Sequence, residues 1–212
     1  MFFFENTRKP EGLGGKMMVS MMNVGHRALA DWGFSFLHPV PDAAVLDCGC
    51  GGGANLKKLL KQCPKGQVKG IDYSEVSVEK SRSVNQKAIA DDRCEVLQAS
   101  VMELPFPGEQ FDLVTAFETV YFWPDLAQSF QEVYRVLKPN GVFFICNESS
   151  GDTDKDDKWT KAIKGMRIYR DVQLQAVLRA AGFQAIQVHK NENDWLCVSA
   201  EKPSSRGAAC SP

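Results

Sequence analysis

The stretch AVLDCGCGGGA, residues 44–54, constrains this chain more than any other part of it. Its opening apolar run, with valine and leucine, is typical of a strand buried on both faces. Asp47 ends that run, and four glycines follow before a helical sequence begins at Asn55. Glycine permits a tight turn and leaves the backbone bare, while a helix start offers free N–H groups. The stretch therefore predicts a strand, a glycine loop and a helix that together bind a nucleotide-like ligand.

Length and composition indicate one ordinary folded domain. A chain of 212 residues can bury a substantial core, and its hydrophobic content of 44% is typical of a globular protein. The formal net charge is -1, and no run of lysine or arginine stands out. We therefore expect no nucleic-acid partner bound through its phosphates. No apolar stretch is long enough to span a bilayer, so we expect no membrane partner.

The cysteines indicate a reducing compartment. There are seven, an odd number, and none forms a C-x-x-C pair, so neither a zinc site nor a disulfide framework is indicated. We expect no metal, and thiols that stay reduced in the cytoplasm. The opening residues MFFF are followed at once by Glu5 and Asn6, which is unlike a secretory signal.

A second acid follows the predicted glycine loop at a sequence separation that is typical of nucleotide-binding folds. Residues 67–72 read as a second strand that ends in Asp72, about 20 residues beyond the loop. At that separation a parallel strand returns beside the first, and its acid can accept hydrogen bonds from ribose hydroxyls. The alternative role for Asp72 is to cap the next helix, but Ser74 can do so and leaves Asp72 free. Tyr73 is then placed to lie against an adenine ring.

Residues 47–53, D-x-G-x-G-x-G, resemble the first motif of class I S-adenosylmethionine-dependent methyltransferases. Later segments resemble the same family: residues 100–106 (SVMELPF) precede residues 111–114 (FDLV), and residues 132–141 read EVYRVLKPNG. The motifs also stand in the family's order. The chain is thus similar to the small-molecule methyltransferases of this class.

The resemblance implies a cofactor and the residues that bind it. In that family the acid and the glycine loop hold the methionine end of S-adenosylmethionine, and S-adenosylhomocysteine is the product. The implied cofactor-binding residues are Asp47, Gly49, Cys50, Gly51, Gly53, Asp72, Tyr73, Ser100, Val101 and Phe117. Ser100 stands where the family usually has an acid that binds the adenine amino group. A hydroxyl accepts that hydrogen bond more weakly than a carboxylate does.

The resemblance also implies an α/β fold: a doubly wound, mostly parallel seven-stranded sheet with an antiparallel C-terminal hairpin. We expect one methyltransferase domain over residues 1–212, with a helical cap (1–40), a Rossmann-like core (41–202) and a loose tail (203–212). The cap contains a methionine-rich helix predicted from Lys16 to about Leu37. That helix either packs on the domain or forms a pliable lid over the ligand.

The implied reaction is attack of a small-molecule nucleophile on the sulfonium methyl group. The protein then mainly orients the reactants and excludes water, and a base is optional. Glu118, just past the fourth predicted strand, is the first candidate base, with His26, Tyr121 and Tyr169 behind it. Glu118, Tyr121, Trp123 and Tyr169 are also the expected substrate contacts. The aromatic residues near Glu118 could equally be tucked into the core.

Two other functions fit part of the pattern. An NAD-type oxidoreductase also uses a glycine loop, but Asp47 and the RVLKP segment speak against it. A protein that binds S-adenosylmethionine without transferring its methyl group fits every motif. Methylation of nucleic-acid bases is not expected, because no [DN]-P-P-[YFW] segment follows the fourth strand.

Overall fold

The computed structural model describes residues 26–153 and 156–204. These residues form seven strands in one sheet, in the order β3-β2-β1-β4-β5-β7-β6. The strands are β1 (Ala44–Cys48), β2 (Gln67–Asp72), β3 (Cys94–Gln98), β4 (Phe111–Phe117), β5 (Leu137–Asn147), β6 (Gln184–Lys190) and β7 (Leu196–Glu201). The first five pair in parallel, and β7 is antiparallel to both of its neighbours. The predicted mostly parallel sheet with an antiparallel hairpin is confirmed.

Helices cover both faces of the sheet. They are α1 (Arg27–Phe34), α2 (Ala54–Gln62), α3 (Glu75–Val84), α4 (Gln86–Ala90), α5 (Leu126–Val136), α6 (Asp156–Ala162) and α7 (Asp171–Ala180). Because successive strand residues point to opposite faces, Leu46 and Val114 belong to the core under α5 and α7. Their neighbours Val45 and Leu113 belong to the core under α1, α2 and α3.

The chain reverses its direction of travel across the sheet between β1 and β4. From β1 it moves outward to β2 and β3, and it then returns to place β4 on the other side of β1. In open parallel sheets ligands bind at such a switch point, outside the carboxyl ends of the strands. The glycine loop after β1 and the segment after β4 both lie at this point.

The cap and the tail are described only in part. The helix predicted from residue 16 is seen as α1, and the residues before 26 lie outside the described part of the chain. The division into cap, core and tail stays a prediction. None of the helices in the described ranges combines the length and apolar character needed to cross a membrane.

The helical segment that follows Ser74 divides into α3 and α4 at Asn85. The Asn85 side-chain nitrogen donates to the carbonyl of Ser81 at 2.9 Å and to that of Gly53 at 3.0 Å. The break therefore ties the helix to the glycine loop, a contact that no local pattern reveals.

Candidate active site

A cavity of about 650 Å³ opens at the carboxyl ends of the parallel strands, at the switch point. Its size is within the range of sites for cofactors and small molecules. The predicted residues that line it are His26, Gly49, Cys50, Gly51, Asp72, Tyr73, Ser100, Val101, Phe117, Glu118 and Trp123. The structure therefore gathers most of the predicted site around one cavity. Asp47, Gly53, Tyr121 and Tyr169 lie outside its wall.

The glycine loop has a backbone shape that side chains resist. Gly49 has φ +82°, and a Cβ added there would come within 2.6 Å of the Thr119 methyl group. Gly51 has φ +49°, and a Cβ there would meet nothing within 4 Å. Gly49 must therefore be glycine, because Thr119, two residues after β4, packs on it. At Gly51 the bare backbone faces open space, so a ligand can approach it closely.

Asp47 lies beneath the loop rather than in the cavity wall. Its Oδ1 accepts a hydrogen bond of 2.7 Å from the hydroxyl of Thr115 on the neighbouring strand β4. The residue is 1% exposed, and burial raises the pKa of its carboxyl to about 7. We expected this acid to hold the cofactor directly, and that contact stays a prediction. In the described structure Asp47 joins the end of β1 to β4 through Thr115.

Asp72 joins the end of β2 to the loop. Its Oδ2 accepts from the backbone N–H of Gly51 at 3.0 Å, and its Oδ1 accepts from the backbone N–H of Ser74 at 2.9 Å. Burial raises the pKa of this carboxyl, and the hydrogen bonds from these N–H groups oppose that effect. The backbone N–H of Tyr73 also donates to this carboxyl, so one of its four lone-pair positions is left for a ligand hydroxyl. Asp72 is thus less free than expected, but it remains able to bind ribose.

Ser74 caps α3 as predicted, because its hydroxyl accepts from the backbone N–H of Ser77 at 3.4 Å. Tyr73 is 40% exposed at the cavity, as a flat surface against which a base could lie. Ser100 also lines the cavity, and its hydroxyl oxygen accepts from the N–H of Met102 at 3.1 Å. One lone pair of Ser100 is therefore occupied by its own turn.

Glu118 stands directly after β4, with a left-handed backbone at φ 60°. Its Oε1 accepts from the hydroxyl of Tyr121 at 3.3 Å and from the backbone N–H of Glu148. Its Oε2 lies 4.0 Å from Nε2 of His26, which is 3.9 Å from Oε2 of Glu148. The three groups form an acid–base cluster (His26, Glu118 and Glu148) drawn from three separate parts of the chain.

Burial controls protonation in the acid–base cluster. The side chain of Glu118 is 13% exposed, and loss of solvent raises the pKa of its carboxyl to about 8. Burial lowers the pKa of His26, and the nearby carboxylate of Glu148 opposes that effect. Near neutral pH Glu118 is therefore protonated and His26 beside it is neutral. A buried carboxyl whose pKa has moved this close to neutrality is typical of catalytic sites.

The acid–base cluster carries no assignment of a metal ion. Its ring nitrogen and carboxylate oxygens lie within 4.8 Å of one another, but exposed acidic groups commonly gather without an ion. The cluster is also internally bonded, since Glu118 accepts from the backbone of Glu148. The expectation that the protein uses no metal stays a prediction.

The aromatic residues after β4 divide between cavity and core. Tyr121 is 2% exposed; its hydroxyl accepts from the N–H of Ser149 at 2.8 Å and donates to Glu118, so it positions that carboxyl from outside the cavity. Tyr169 packs against the core under α5 and α7. Trp123 does both: it lines the cavity and is 6% exposed, with Nε1 donating to Thr119 at 2.7 Å.

Several residues that line the cavity were not predicted. They are Arg27, Leu29, Ala30, Gly52, Ala54, Asn55, Lys57, Lys58, Lys61, Ile71, Ser77, Val84, Ala99, Thr119, Phe122 and Pro124. Lys58 pairs with Asp31 at 2.7 Å, whereas Lys57 and Lys61 have no ion pair within the described residues. Lys57 and Lys61 are one helical turn apart on α2, next to the loop, and this spacing in the sequence could have indicated that both face the cavity.

The arrangement fits an adenosyl cofactor. The bare backbone at Gly51 leaves room for a ligand, and the Asp72 carboxylate beside it offers acceptors for a ribose. The exposed ring of Tyr73 lies at the same wall. Glu118 then supplies an ionisable group in the same cavity.

Comparison with known proteins agrees with this geometry. Residues 46–145 match the family model described as a methyltransferase domain. The chain is 32% identical over 155 residues to cycloartenol-C-24-methyltransferase of Arabidopsis thaliana, which covers 69% of this chain and 46% of that protein. It is 36% identical over 137 residues to demethylmenaquinone methyltransferase of Lactiplantibacillus plantarum, covering 63% of this chain and 56% of the relative. The chain spans about half the length of these curated relatives.

Solved structures share the fold. The crystal structure of a SAM dependent methyltransferase from Aquifex aeolicus matches with a TM-score of 0.72 at 22% identity, covering 88% of this chain and 97% of the other. At that identity the match concerns the fold alone. Together with the matched segment, it shows that this chain has the Rossmann-like fold of methyltransferases, with a match to a methyltransferase domain over residues 46–145.

Proposed function

We propose that this protein transfers the methyl group of S-adenosylmethionine to a small-molecule nucleophile and releases S-adenosylhomocysteine. The observation that carries the proposal is one cavity lined by Gly51, Asp72 and Glu118. A bare backbone and a ribose acceptor suit the cofactor, and an ionisable group in the same cavity suits an acceptor that must lose a proton. The matched methyltransferase domain supports the same conclusion.

The loop and the strand ends would bind the cofactor. Asp72 would accept from the ribose hydroxyls, and the backbone around Gly51 would lie along the methionine end. Tyr73 and Val101 would flank the adenine, and Ser100 would accept from its amino group. When bound, the cofactor supplies an electrophilic methyl group that needs no activation by the protein.

The residues after β4 would handle the acceptor. Glu118 would take the acceptor's proton on Oε2, because Oε1 is already bound to Tyr121 and to the backbone of Glu148. His26 would hold the acceptor or relay that proton, since its Nε2 lies 4.0 Å from Oε2. Phe117, Trp123 and the half-buried Phe122 would exclude water from the reacting atoms.

The acceptor is proposed to be partly apolar. Apolar side chains from α1 and from the segment after β4 make much of the wall: Leu29, Ala30, Phe117, Phe122, Trp123 and Pro124. The curated relatives are named for cycloartenol and demethylmenaquinone, two largely apolar small molecules. We also propose a cytoplasmic location, which the free, buried thiols of the described cysteines support.

Calorimetry followed by turnover tests the proposal. Full-length protein is titrated with S-adenosylmethionine, S-adenosylhomocysteine and, as the matched control for a Rossmann-like fold, NAD. We expect heat with the first two and none with NAD. Formation of S-adenosylhomocysteine is then measured with sterol-like alkenes, quinols and small amines. Binding without turnover on every acceptor would favour a protein that only binds the cofactor, and selective binding of NAD would favour an oxidoreductase.

A further inference from the structure

Glu118 is held against the glycine loop. The residue after it, Thr119, packs its methyl group on Gly49, and the Thr119 hydroxyl donates to the carbonyl of Cys48 at 3.0 Å. The backbone that carries Glu118 is thus attached to the turn where the methionine end of the cofactor is proposed to lie. A positive charge on that end of the cofactor would therefore favour ionisation of the Glu118 carboxyl.

Within residues 26–153 and 156–204, Glu118 has no lysine or arginine as an ion-pair partner. The titratable groups that face it are His26 before α1, Glu148 after β5, Tyr121 after β4 and the thiol of Cys146 in β5. Nearby Lys58 is bound to Asp31. The burial of the carboxyl and the neighbouring acid Glu148 both favour the protonated form.

Resting on the proposed function, we propose that Glu118 is the residue by which the cavity distinguishes the cationic cofactor from its neutral product. Its carboxyl is protonated in the empty cavity, gives that proton to solvent when S-adenosylmethionine binds, and is protonated again once S-adenosylhomocysteine has formed. The ionised Glu118 compensates the sulfonium charge, and a thioether has no such charge to compensate.

The charges balance through the reaction. In the loaded enzyme the sulfonium is positive and Glu118 is negative. As the acceptor's bond to the methyl carbon forms and the carbon–sulfur bond breaks, the acceptor's proton passes to Oε2 of Glu118. The cofactor sulfur and the carboxyl are then both neutral. The product complex therefore lacks the ion pair that held the substrate complex together, which favours release of the product.

Elementary electrostatics gives the size of the effect. An opposite charge close to an acid shifts its ionisation strongly toward the charged form. Starting from a pKa of about 8 for Glu118, such a shift would release close to one proton at about pH 7. By linkage, the Kd for S-adenosylmethionine would fall roughly thirtyfold to fiftyfold between about pH 6 and pH 8, because ionising Glu118 costs less at high pH. The Kd for S-adenosylhomocysteine would stay nearly constant.

An alternative role for Glu118, binding of the cofactor's α-ammonium group, can be distinguished from the proposed role by experiment. If Glu118 instead bound the α-ammonium group of the cofactor, both ligands would release the proton equally, because both carry that ammonium. The comparison of the two ligands therefore decides between a sulfonium and an ammonium partner.

The experiment counts protons during binding. Full-length protein is titrated at about pH 7 with each ligand in phosphate and in Tris, whose ionisation enthalpies differ, so that the difference in heat gives the number of protons released. We expect close to one proton for S-adenosylmethionine and for sinefungin, which carries an amine in place of the sulfonium, and close to none for S-adenosylhomocysteine. Equal release with all three, or none with any, would overturn the inference while leaving the proposed function intact. No heat with any ligand would overturn both.

A variant pair assigns the proton. Glu118→Gln keeps the acceptor for Tyr121 and for the Glu148 N–H but cannot ionise, so we expect the release to vanish. Glu148→Gln, whose side chain is 56% exposed, is the matched control: it should keep a smaller release, because loss of the Glu148 charge lowers the pKa of Glu118 without removing its carboxyl. Retained release in Glu118→Gln would overturn the inference. The comparison of ligands on the unaltered protein decides the question independently of how either variant folds.

Discussion

The backbone N–H of Gly51 donates to Oδ2 of Asp72 across 3.0 Å, which fixes the glycine loop after β1 to the tip of β2. The same carboxylate accepts from the N–H of Ser74 through its other oxygen. One side chain therefore shapes the loop, starts α3 and faces the cavity. Its loss would affect structure and binding together, and the two effects can be measured separately.

Asp72→Asn is expected to weaken cofactor binding by roughly tenfold to a hundredfold, because an amide accepts at one atom only and two N–H donors compete for it. The unsatisfied donor should also lower the free energy of unfolding by about 1 kcal/mol. Calorimetry with S-adenosylmethionine and urea denaturation measure the two effects. Asp91→Asn, an equal change of charge at an exposed position, is the control and should alter neither.

Gly49→Ala should lower the free energy of unfolding more than Gly51→Ala does, although both glycines have a left-handed backbone. At Gly51 the added methyl group has open space, so we expect only the backbone strain of about 1 kcal/mol. At Gly49 it would also collide with Thr119, and we expect roughly 3 kcal/mol or more. Urea denaturation of the two variants checks this difference. Equal losses would contradict the contact between Gly49 and Thr119.

The stability of the protein should fall as the pH rises from about 5 to 7, in part because of Asp47. Its folded-state pKa, raised to about 7, exceeds the ordinary value of 3.8 expected on unfolding, so the folded state binds the extra proton in this window. The stabilisation is complete at low pH and is lost as the carboxyl ionises. We expect Asp47→Asn, which cannot ionise, to gain roughly 2 kcal/mol relative to the wild type between those pH values.

The check is a set of urea denaturation curves for both proteins across that pH range. The pKa of Glu118, raised to about 8, acts in the same direction at higher pH and is common to both proteins. It therefore cancels in the difference. A difference between the two proteins that does not change with pH would contradict a buried, protonated Asp47.

Tyr121→Phe should lower kcat by roughly tenfold without changing the Kd for the cofactor, because Tyr121 positions Glu118 and lies outside the cavity. The Tyr121 hydrogen bond lowers the pKa of Glu118, so its loss should move the acidic limb of the pH–rate profile upward. Tyr134→Phe is the matched control, since Tyr134 packs edge-on against Phe183, away from the cavity. An unshifted pH profile in Tyr121→Phe would indicate a purely structural role.

The fold could be predicted from the sequence because alternating strands and helices form a parallel sheet. In such a sheet the loops that follow neighbouring strands lie together at one edge. Asp72 and the glycine loop follow from that rule alone. The direction of a side chain does not follow from it. Asp47 and Tyr121 stand in the expected segments but point beneath the cavity, toward Thr115 and Glu118.

The residues that were missed depend on contacts between distant parts of the chain. Thr119 lines the cavity because it packs on Gly49, and Asn85 breaks a helix because its amide reaches Gly53. Neither leaves a local mark in the sequence. The left-handed backbone of Glu118 is likewise imposed by its neighbours, since glutamate has no intrinsic preference for it.

The side-chain amide of Asn85 links the junction between α3 and α4 to the glycine loop. Its side-chain nitrogen donates to the carbonyl of Gly53, and Asn85 itself does not line the cavity. A substitution at Asn85 can therefore change the position of the glycine loop, and with it the affinity for a nucleoside. It would do so without replacing any residue that lines the cavity.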